Sequence, residues 1–120
     1  MKTSKFFKPV EFERCTPSCS IEDMDQNLLD MLDALREECG IPLLLSCAYR
    51  SPEWDRAKKR SGTGAHTLGR AVDIRCNSSA TRMKIMKAAL KVGFRRIGIE
   101  GSFIHVDNSP RHDQDIIWTY

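Results

Sequence analysis

The fold of this chain depends on one stretch, His66-Thr-Leu-Gly69-Arg-Ala-Val-Asp73-Ile-Arg-Cys76. Residues 71–76 alternate between apolar and polar side chains, which predicts a β-strand. His66 lies in the loop before this strand and Asp73 lies within it. A turn at Gly69 would bring these two side chains to one centre. The stretch therefore predicts a turn followed by a strand, with a candidate metal ligand on each.

Downstream, a hairpin offers a third ligand. Residues 95–99 and 103–107 read as two short strands joined by Glu100-Gly101-Ser102. His105 lies in the second strand, and Asp107 faces the same side two residues later. A hydrolytic zinc site needs three protein ligands and one open position, so His66, Asp73 and His105 are candidate ligands. Spacing alone also allows a structural role for these histidines.

Upstream, apolar residues recur at steps of three and four, which predicts a helix over residues 21–39. Ser20 is its expected N-cap, with Asp23 completing a capping box. Gly40 and Pro42 end the pattern. The apolar face consists of Ile21, Met24, Leu28, Met31, Leu32 and Leu35.

The other elements follow from the same signals. Residues 43–49 form a short apolar strand, and Ser51-Pro52 starts a short helix. Residues 61–64 form a flexible loop. A second long helix begins at a cap on Ser79 or Thr81 and ends at Gly93. Its predicted apolar face consists of Met83, Ile85, Met86, Ala89, Leu90 and Val92.

Both ends of the chain are less regular. Residues 1–19 show no period and are predicted to pack as an irregular arm through their phenylalanines. Residues 116–120 are apolar and aromatic and could add one more strand. Helices and strands do not alternate strictly, and the hairpin favours antiparallel pairing. We therefore expect one α+β domain over residues 1–120, with helices packed on one face of a small antiparallel sheet.

Composition narrows the class of protein. The chain has 120 residues, 41% hydrophobic and 29% charged, with a formal net charge of +3. No basic stripe interleaved with aromatic residues appears, so we expect no nucleic-acid partner. No apolar stretch approaches a membrane span, and no apolar region follows the basic N-terminus. We therefore expect a cytoplasmic protein, and its mildly basic charge suits an anionic partner.

Five cysteines are present, at positions 15, 19, 39, 47 and 76. An odd number cannot pair completely, and without an export signal reduced thiols are expected. Cys15 and Cys19 have C-x3-C spacing, but a zinc knuckle would need two more ligands nearby. Cys47 and Cys76 lie in apolar, strand-like contexts and read as small buried hydrophobic residues.

Three motifs taken in order carry a family resemblance. They are Ser46-x-x-Tyr49-Arg50-Ser51, then His66-x-x-Gly69-x-Ala71-x-Asp73, then Phe103-Ile-His105-Val-Asp107. Together they resemble the M15 peptidases, which include zinc D-Ala-D-Ala carboxypeptidases and phage endolysin endopeptidases. The likeness is strongest to the small branch found in phages and prophages. It implies the fold that these enzymes share with the hedgehog signalling domain.

The resemblance also implies roles for individual residues. His66, Asp73 and His105 match the three zinc ligands of the family. Arg50 matches an arginine beside the metal that stabilises negative charge on the substrate, as a guanidinium with two donors can. The alternative for Arg50 is a surface salt bridge, for example with Glu53.

The general base departs from the family pattern. Many members have a serine where this chain has Gly64, and an acidic residue where it has Ser102. The nearest acids are Glu100 and Asp107. Glu100 is the preferred base, although it could be a solvated turn residue. Asp107 could be the base or could orient His105 or Arg50.

The implied function is zinc-dependent hydrolysis of stem or cross-bridge peptides in bacterial peptidoglycan. The bond could be D-Ala-D-Ala, L-Ala-D-Glu or a cross-bridge bond. The alternative is a non-catalytic module that zinc stabilises and that binds a cell-wall peptide or a protein. A monomer is expected, and we expect it to stay in the cytoplasm until its release to the cell wall, whose anionic character suits a mildly basic protein. His112 and Asp113 lie in a polar loop that could border the cleft.

Overall fold

The computed structural model describes residues 1–120 and contains four α-helices and one five-stranded sheet. The helices are α1 (Pro9–Glu13), α2 (Gln26–Cys39), α3 (Pro52–Ala57) and α4 (Ser79–Val92). The strands are β1 (Leu45–Cys47), β2 (Ala71–Arg75), β3 (Arg96–Ile99), β4 (Phe103–Asp107) and β5 (Ile116–Thr119). Single 3₁₀ turns cover Ile21–Asp23 and Ala65–Leu68. The predicted α+β class is confirmed.

The strand order is β1-β2-β4-β3-β5. All neighbouring pairs are antiparallel except β3 and β5, which are parallel and depart from a purely antiparallel sheet. The cause is the short connection after β4. Arg96 pairs with Asp107 at the end of β4 and with Ile116 at the start of β5. The chain therefore passes around the start of β3 and runs back alongside it in the same direction.

Alternation along the strands gives the sheet two different faces. One face joins the hydrophobic core through Val72, Ile74, Ile97, Ile104 and Val106. Helices α2 and α4 contribute Leu28, Leu32, Ile85 and Ala89 to the same core. On the opposite face, Asp73 of β2, His105 of β4 and Gly98 of β3 lie side by side. Helices α2 and α4 cover one face, and the other face carries polar side chains.

The helix predicted over residues 21–39 is divided in the structure. Ser20 and Asp23 form the predicted capping box, but it starts only the 3₁₀ turn. Met24 is extended, with φ −91° and ψ 148°. Asp25 then caps α2, and its carboxylate accepts a hydrogen bond from the Leu28 N–H at 3.0 Å. The division has a tertiary cause, because the Asp25 N–H donates to the Gly69 carbonyl at 2.8 Å.

Gly69 makes the predicted turn between His66 and Asp73. Its φ is +69°, in the left-handed region that favours glycine. A Cβ at this position would collide with the carbonyl oxygen of Asp23. The turn therefore needs glycine for its conformation and for the close approach of the segment that precedes α2.

The second long helix, α4, is confirmed with small differences. Its cap is Ser78, which accepts a hydrogen bond from the Thr81 N–H, rather than Ser79 or Thr81. Gly93 ends the helix as predicted. The buried face is narrower than the apolar pattern indicated, since Met83 and Leu90 are exposed. The side of α4 that packs against α2 and the core is buried, and Met83 and Leu90 lie outside that side.

The N-terminal arm is more regular than its sequence indicates, because it contains α1. Phe7 and Phe12 are buried in the core. The Asp33 carboxylate on α2 holds the arm by accepting hydrogen bonds from the Ser4 hydroxyl and from two backbone N–H groups. The strand predicted over residues 43–49 is shorter and covers Leu45–Cys47.

The short helix after Ser51 is confirmed, with the serine hydroxyl accepting from the Trp54 N–H at 3.0 Å. All five cysteines are free thiols, and Cys47 and Cys76 are buried as predicted. None of the helices has both the length and the apolar character that crossing a membrane requires.

Candidate functional site

The structure brings His66, Asp73 and His105 together. Asp73 Oδ1 lies 3.3 Å from His66 Nε2 and 3.1 Å from His105 Nδ1. Asp73 and His105 are paired across β2 and β4, and the 3₁₀ turn Ala65–Leu68 supplies His66. All three side chains are buried. Sheet register and the Gly69 turn therefore assemble three potential ligands at one point.

The other nitrogen of each imidazole is held by a fixed acceptor. His66 Nδ1 lies 2.6 Å from the Ala48 carbonyl oxygen, which can only accept, so this nitrogen carries the proton. His105 Nε2 lies 2.6 Å from the Asp107 carboxylate, which also accepts. In the neutral rings, His66 Nε2 and His105 Nδ1 are therefore free of protons. Both nitrogens direct a lone pair at Asp73.

This donor set fits a cation. Two lone pairs facing one carboxylate oxygen repel unless a proton or a metal ion lies between them. Burial lowers the pKa of His66 and His105, but hydrogen bonds to Asp73, and for His105 also to Asp107, outweigh burial and raise both values. Burial raises the pKa of Asp73, yet the two histidines hold it well below its usual range. The cluster thus strongly favours positive charge at its centre.

Cys47 lies beside this cluster. Ligand atoms of Cys47, His66 and Asp73 lie within 4.8 Å of one another, so these three residues could also hold a metal ion. The thiol is on the Nδ1 side of His66, however, with its Sγ 3.7 Å from that nitrogen. A metal ion bound there would compete with the Ala48 hydrogen bond. The sequence indicated the burial of Cys47 but not its place at the site.

Arg50 borders the same site. Its backbone N–H donates to the His66 carbonyl at 3.2 Å, which ties the arginine to the histidine turn. Its Nε lies 3.1 Å from Asp55 Oδ1, close enough for an ion pair although not aligned as a hydrogen bond. The partner is therefore the buried Asp55, whereas Glu53 lies near Arg56. Asp55 also accepts from the Gly62 N–H, a role that the sequence did not indicate.

Asp107 is fully enclosed by polar partners. One oxygen accepts from His105, and the other accepts from Arg96 Nε at 2.8 Å and from the Ser109 N–H at 3.1 Å. Burial raises the pKa of Asp107, but the hydrogen bond from His105 and the charge of Arg96 lower it overall. Of the two partners expected for this carboxylate, it contacts His105, and Arg96 takes the place expected for Arg50. Both oxygens are occupied.

Glu100 lies away from this cluster, in the turn between β3 and β4. Its carboxylate accepts hydrogen bonds from the Ser102 N–H and the Ser102 hydroxyl, at 2.8 Å and 2.6 Å. These bonds lower the pKa of Glu100. Glu100 is not among the residues that line the cleft. The structure thus brings together the predicted ligands, Arg50 and Asp107, but does not bring Glu100 to them.

The cluster lies in an open cleft of about 580 Å³. Sequence reasoning did not single out several of its lining residues, among them Trp54, Arg60, Arg96, Trp118 and Tyr120. Trp118 lies over Gly98, where a Cβ would approach the indole to 2.6 Å, and its ring is 5.2 Å from that of His105. The Arg96 guanidinium lies 5.0 Å from the Trp118 ring. In the sequence, the only indication of this stacking is Gly98, a glycine within a predicted strand, which leaves room for an aromatic ring.

Comparison with known families agrees with this geometry. A family model described as Peptidase M15 matches residues 5–107. The chain belongs to the M15 peptidase family. A comparison with curated proteins finds no significant match. Family membership indicates a metallopeptidase, and typical members depend on zinc, which suits the buried cluster of ligating side chains.

Part of the cleft of this M15 peptidase lies beyond the matched residues. His112, Trp118 and Tyr120 line the cleft and follow residue 107. The predicted border loop therefore does reach the cleft through His112. Asp113 is not among the lining residues, but its backbone carbonyl accepts a hydrogen bond from Arg96 Nη1 at 2.6 Å.

Proposed function

We propose that this M15 peptidase hydrolyses peptide bonds in the stem or cross-bridge peptides of bacterial peptidoglycan, as members of the small phage and prophage branch do. We assign His66, Asp73 and His105 as the ligands of its zinc ion. The observation that carries the assignment is the convergence of one nitrogen from each imidazole ring on a single buried carboxylate oxygen. Three nitrogen and oxygen ligands leave one position for water and substrate, as catalytic zinc sites require.

Each residue has a distinct task in this proposal. When bound, zinc supplies positive charge that polarises a carbonyl group and activates water. Ala48 and Asp107 hold the protonated edges of His66 and His105, so that the ligating nitrogens face the centre. Arg50 stabilises negative charge that develops on the substrate carbonyl oxygen. Asp55 keeps the Arg50 guanidinium in place through its buried carboxylate.

The charge of the cleft suits anionic peptides. Arg50, Arg60 and Arg96 line it. The carboxylates of Asp73 and Asp107 are both engaged with histidines or Arg96. A bound divalent cation would add further positive charge. Stem peptides, which carry several free carboxylates, would be attracted to such a cleft.

The test combines metal analysis with turnover. Purified protein should carry about one zinc ion per chain, because three ligands and a water complete the site. Incubation with purified peptidoglycan should release new free amines, and mass analysis of the products would identify the bond. Release of single D-alanine indicates a carboxypeptidase, whereas larger fragments indicate an endopeptidase.

Controls separate the metal from the fold. A chelator should stop amine release, and added zinc should restore it. His66→Ala should lose both zinc and turnover while keeping the sheet and helices in circular dichroism. Zinc content that is unaffected by changes at His66, Asp73 and His105 would refute the ligand assignment.

One observation favours a second candidate function. Neither carboxylate predicted as general base presents a free oxygen to the cleft, because Asp107 is enclosed and Glu100 lies outside. A non-catalytic, zinc-stabilised module that binds a wall peptide or a protein needs no base. Tight zinc binding without amine release from several wall types would support this alternative and reject the peptidase.

A further inference from the structure

His112 is the third histidine of the chain, and the cluster of potential metal ligands does not include it. It lies in the loop between β4 and β5, lines the same cleft as His66 and His105, and is half-buried. A hydrogen-bonding ring that lines a peptidase cleft can contact a bound substrate.

The loop that carries His112 is fixed to Asp107 and Arg96, which lie beside the candidate metal ligands. The Ser109 N–H donates to Asp107, and the Asp113 carbonyl accepts from Arg96. The Gln114 amide donates to the carbonyl oxygens of Ser109 and His112, both at 2.8 Å. His112 is therefore positioned by the same residues that orient His105.

Hydrogen bonds around Ser109 determine which nitrogen of His112 carries the proton. Ser109 is fully buried, and its Oγ lies 2.7 Å from His112 Nδ1. The same oxygen accepts from the Arg111 N–H at 3.3 Å. A buried hydroxyl proton needs an acceptor, and His112 Nδ1 is the one within reach. Ser109 therefore donates to Nδ1, and the neutral ring carries its proton on Nε2.

We infer that His112 donates a hydrogen bond from Nε2–H to the scissile carbonyl oxygen of the substrate as negative charge develops there. With Nδ1 held by buried Ser109, Nε2 is the ring nitrogen that no other residue of the chain engages, and the ring lines the cleft. Arg50 approaches from the segment after β1 and His112 from the loop after β4. The substrate oxygen thus receives donors from two separate segments. This inference rests on the proposed peptidase function.

Matched variants at position 112 test the donor. His112→Phe keeps a ring but removes the N–H, and should lower kcat by roughly 10²- to 10³-fold, the cost of losing one oxyanion donor. The KM and zinc content should stay unchanged, because the donor acts on charge that is present only in the transition state. His112→Gln retains an N–H and should recover part of the loss. An active wild type with equal kcat in His112→Phe would overturn the inference.

The protonated nitrogen can be observed without turnover. In ¹⁵N–¹H correlation spectra of the zinc-loaded protein at neutral pH, the His112 ring should show a protonated Nε2. Ser109→Ala should weaken that preference. A wild-type ring protonated on Nδ1 alone would overturn the inference. Absence of wild-type amine release is a different result, and it refutes the proposed peptidase function.

Discussion

Asp107 connects three parts of the site through two oxygen atoms. It orients His105, pairs with Arg96 and accepts from the backbone of the loop that carries His112. Removing its charge would leave a buried guanidinium without its ion partner, and removing a partner of a buried pair is costly. A change at this residue would thus affect metal affinity and cleft shape together.

A pair of conservative variants distinguishes Asp107 from Glu100. Asp107→Asn should weaken zinc affinity or turnover by roughly 10- to 100-fold, as loss of a group that orients a ligand does. Glu100→Gln should change either quantity little, because its carboxylate contacts Ser102 outside the cleft. Zinc titration and amine release measure the two effects.

The opposite outcome has a clear meaning. If Glu100→Gln removes most turnover while zinc and fold persist, Glu100 is the general base that the sequence favoured. The turn between β3 and β4 would then have to bring it to the cleft when substrate binds.

The candidate ligands could be recognised in the sequence, but the residues that contact them could not. His66, Asp73 and His105 stand out because their types are rare and their spacing suits a turn and two strands. Arg96 and Cys47 reach the site through strand pairing, which places Arg96 opposite Asp107 and Cys47 opposite Asp73. Such register is a property of the assembled sheet. A single sequence does not contain it as a local pattern.

Among the elements, α2 shows where local patterns stop being informative. Its apolar period continues smoothly through Met24, so the sequence predicts one uninterrupted helix. The break at Met24 and Asp25 depends on Gly69, which lies 44 positions further along the chain than Asp25. In the structure Ser20 caps the 3₁₀ turn and Asp25 caps α2, and the contact with Gly69 separates the two elements.

Substitution of Gly69 tests this coupling between a turn and a helix. Gly69→Ala should destabilise the fold by more than the roughly 1–2 kcal/mol of left-handed backbone strain, because its Cβ also collides with the Asp23 carbonyl. Gly40→Ala is the matched control. Gly40 has a similar φ of +72° but no atom within 4 Å of an added Cβ, so only the strain applies.

Urea unfolding of the two variants measures the difference. Zinc affinity should fall in Gly69→Ala as well, because the turn positions His66 next to Asp73. Equal free energies of unfolding for the two variants would contradict the role assigned to the close approach.

At the scale of the whole molecule, one face of the sheet packs in the hydrophobic core and the other carries the candidate metal ligands. Its core face and its polar face share the same strands, so each strand contributes alternately to packing and to the cleft. The fold class could be predicted because alternation and helical periods are local. The parallel pairing of β5 could not, because it follows from the path around Arg96.

The charge of the buried cluster makes stability depend on pH. In the metal-free protein, the pKa values of His66 and His105 are raised above the ordinary value of 6.5. A group with a raised pKa stabilises the folded state below its unfolded pKa, and this contribution is lost as pH rises through the folded pKa. The free energy of unfolding of chelator-treated protein should therefore decrease as pH rises from about 6.

Zinc should reverse this trend. Protons compete with the metal for the imidazole nitrogens, so zinc stabilises more as pH rises. Urea unfolding at a series of pH values, with and without zinc, measures both slopes. Metal-free protein that gains stability steadily between about pH 6 and 8 would contradict the assigned histidine environment.

The pairing of β2 with β4 has a kinetic consequence. Asp73 and His105 are 32 residues apart in the chain, and they meet only when these two central strands pair. A metal ion held by both would act as a reversible cross-link across that junction. Because such a link forms only after the strands have met, it would slow unfolding rather than accelerate folding. The backbone amides of β2 and β4 would then exchange their hydrogens with solvent most slowly. The lifetime of the folded state under denaturing conditions would therefore depend on whether zinc is bound.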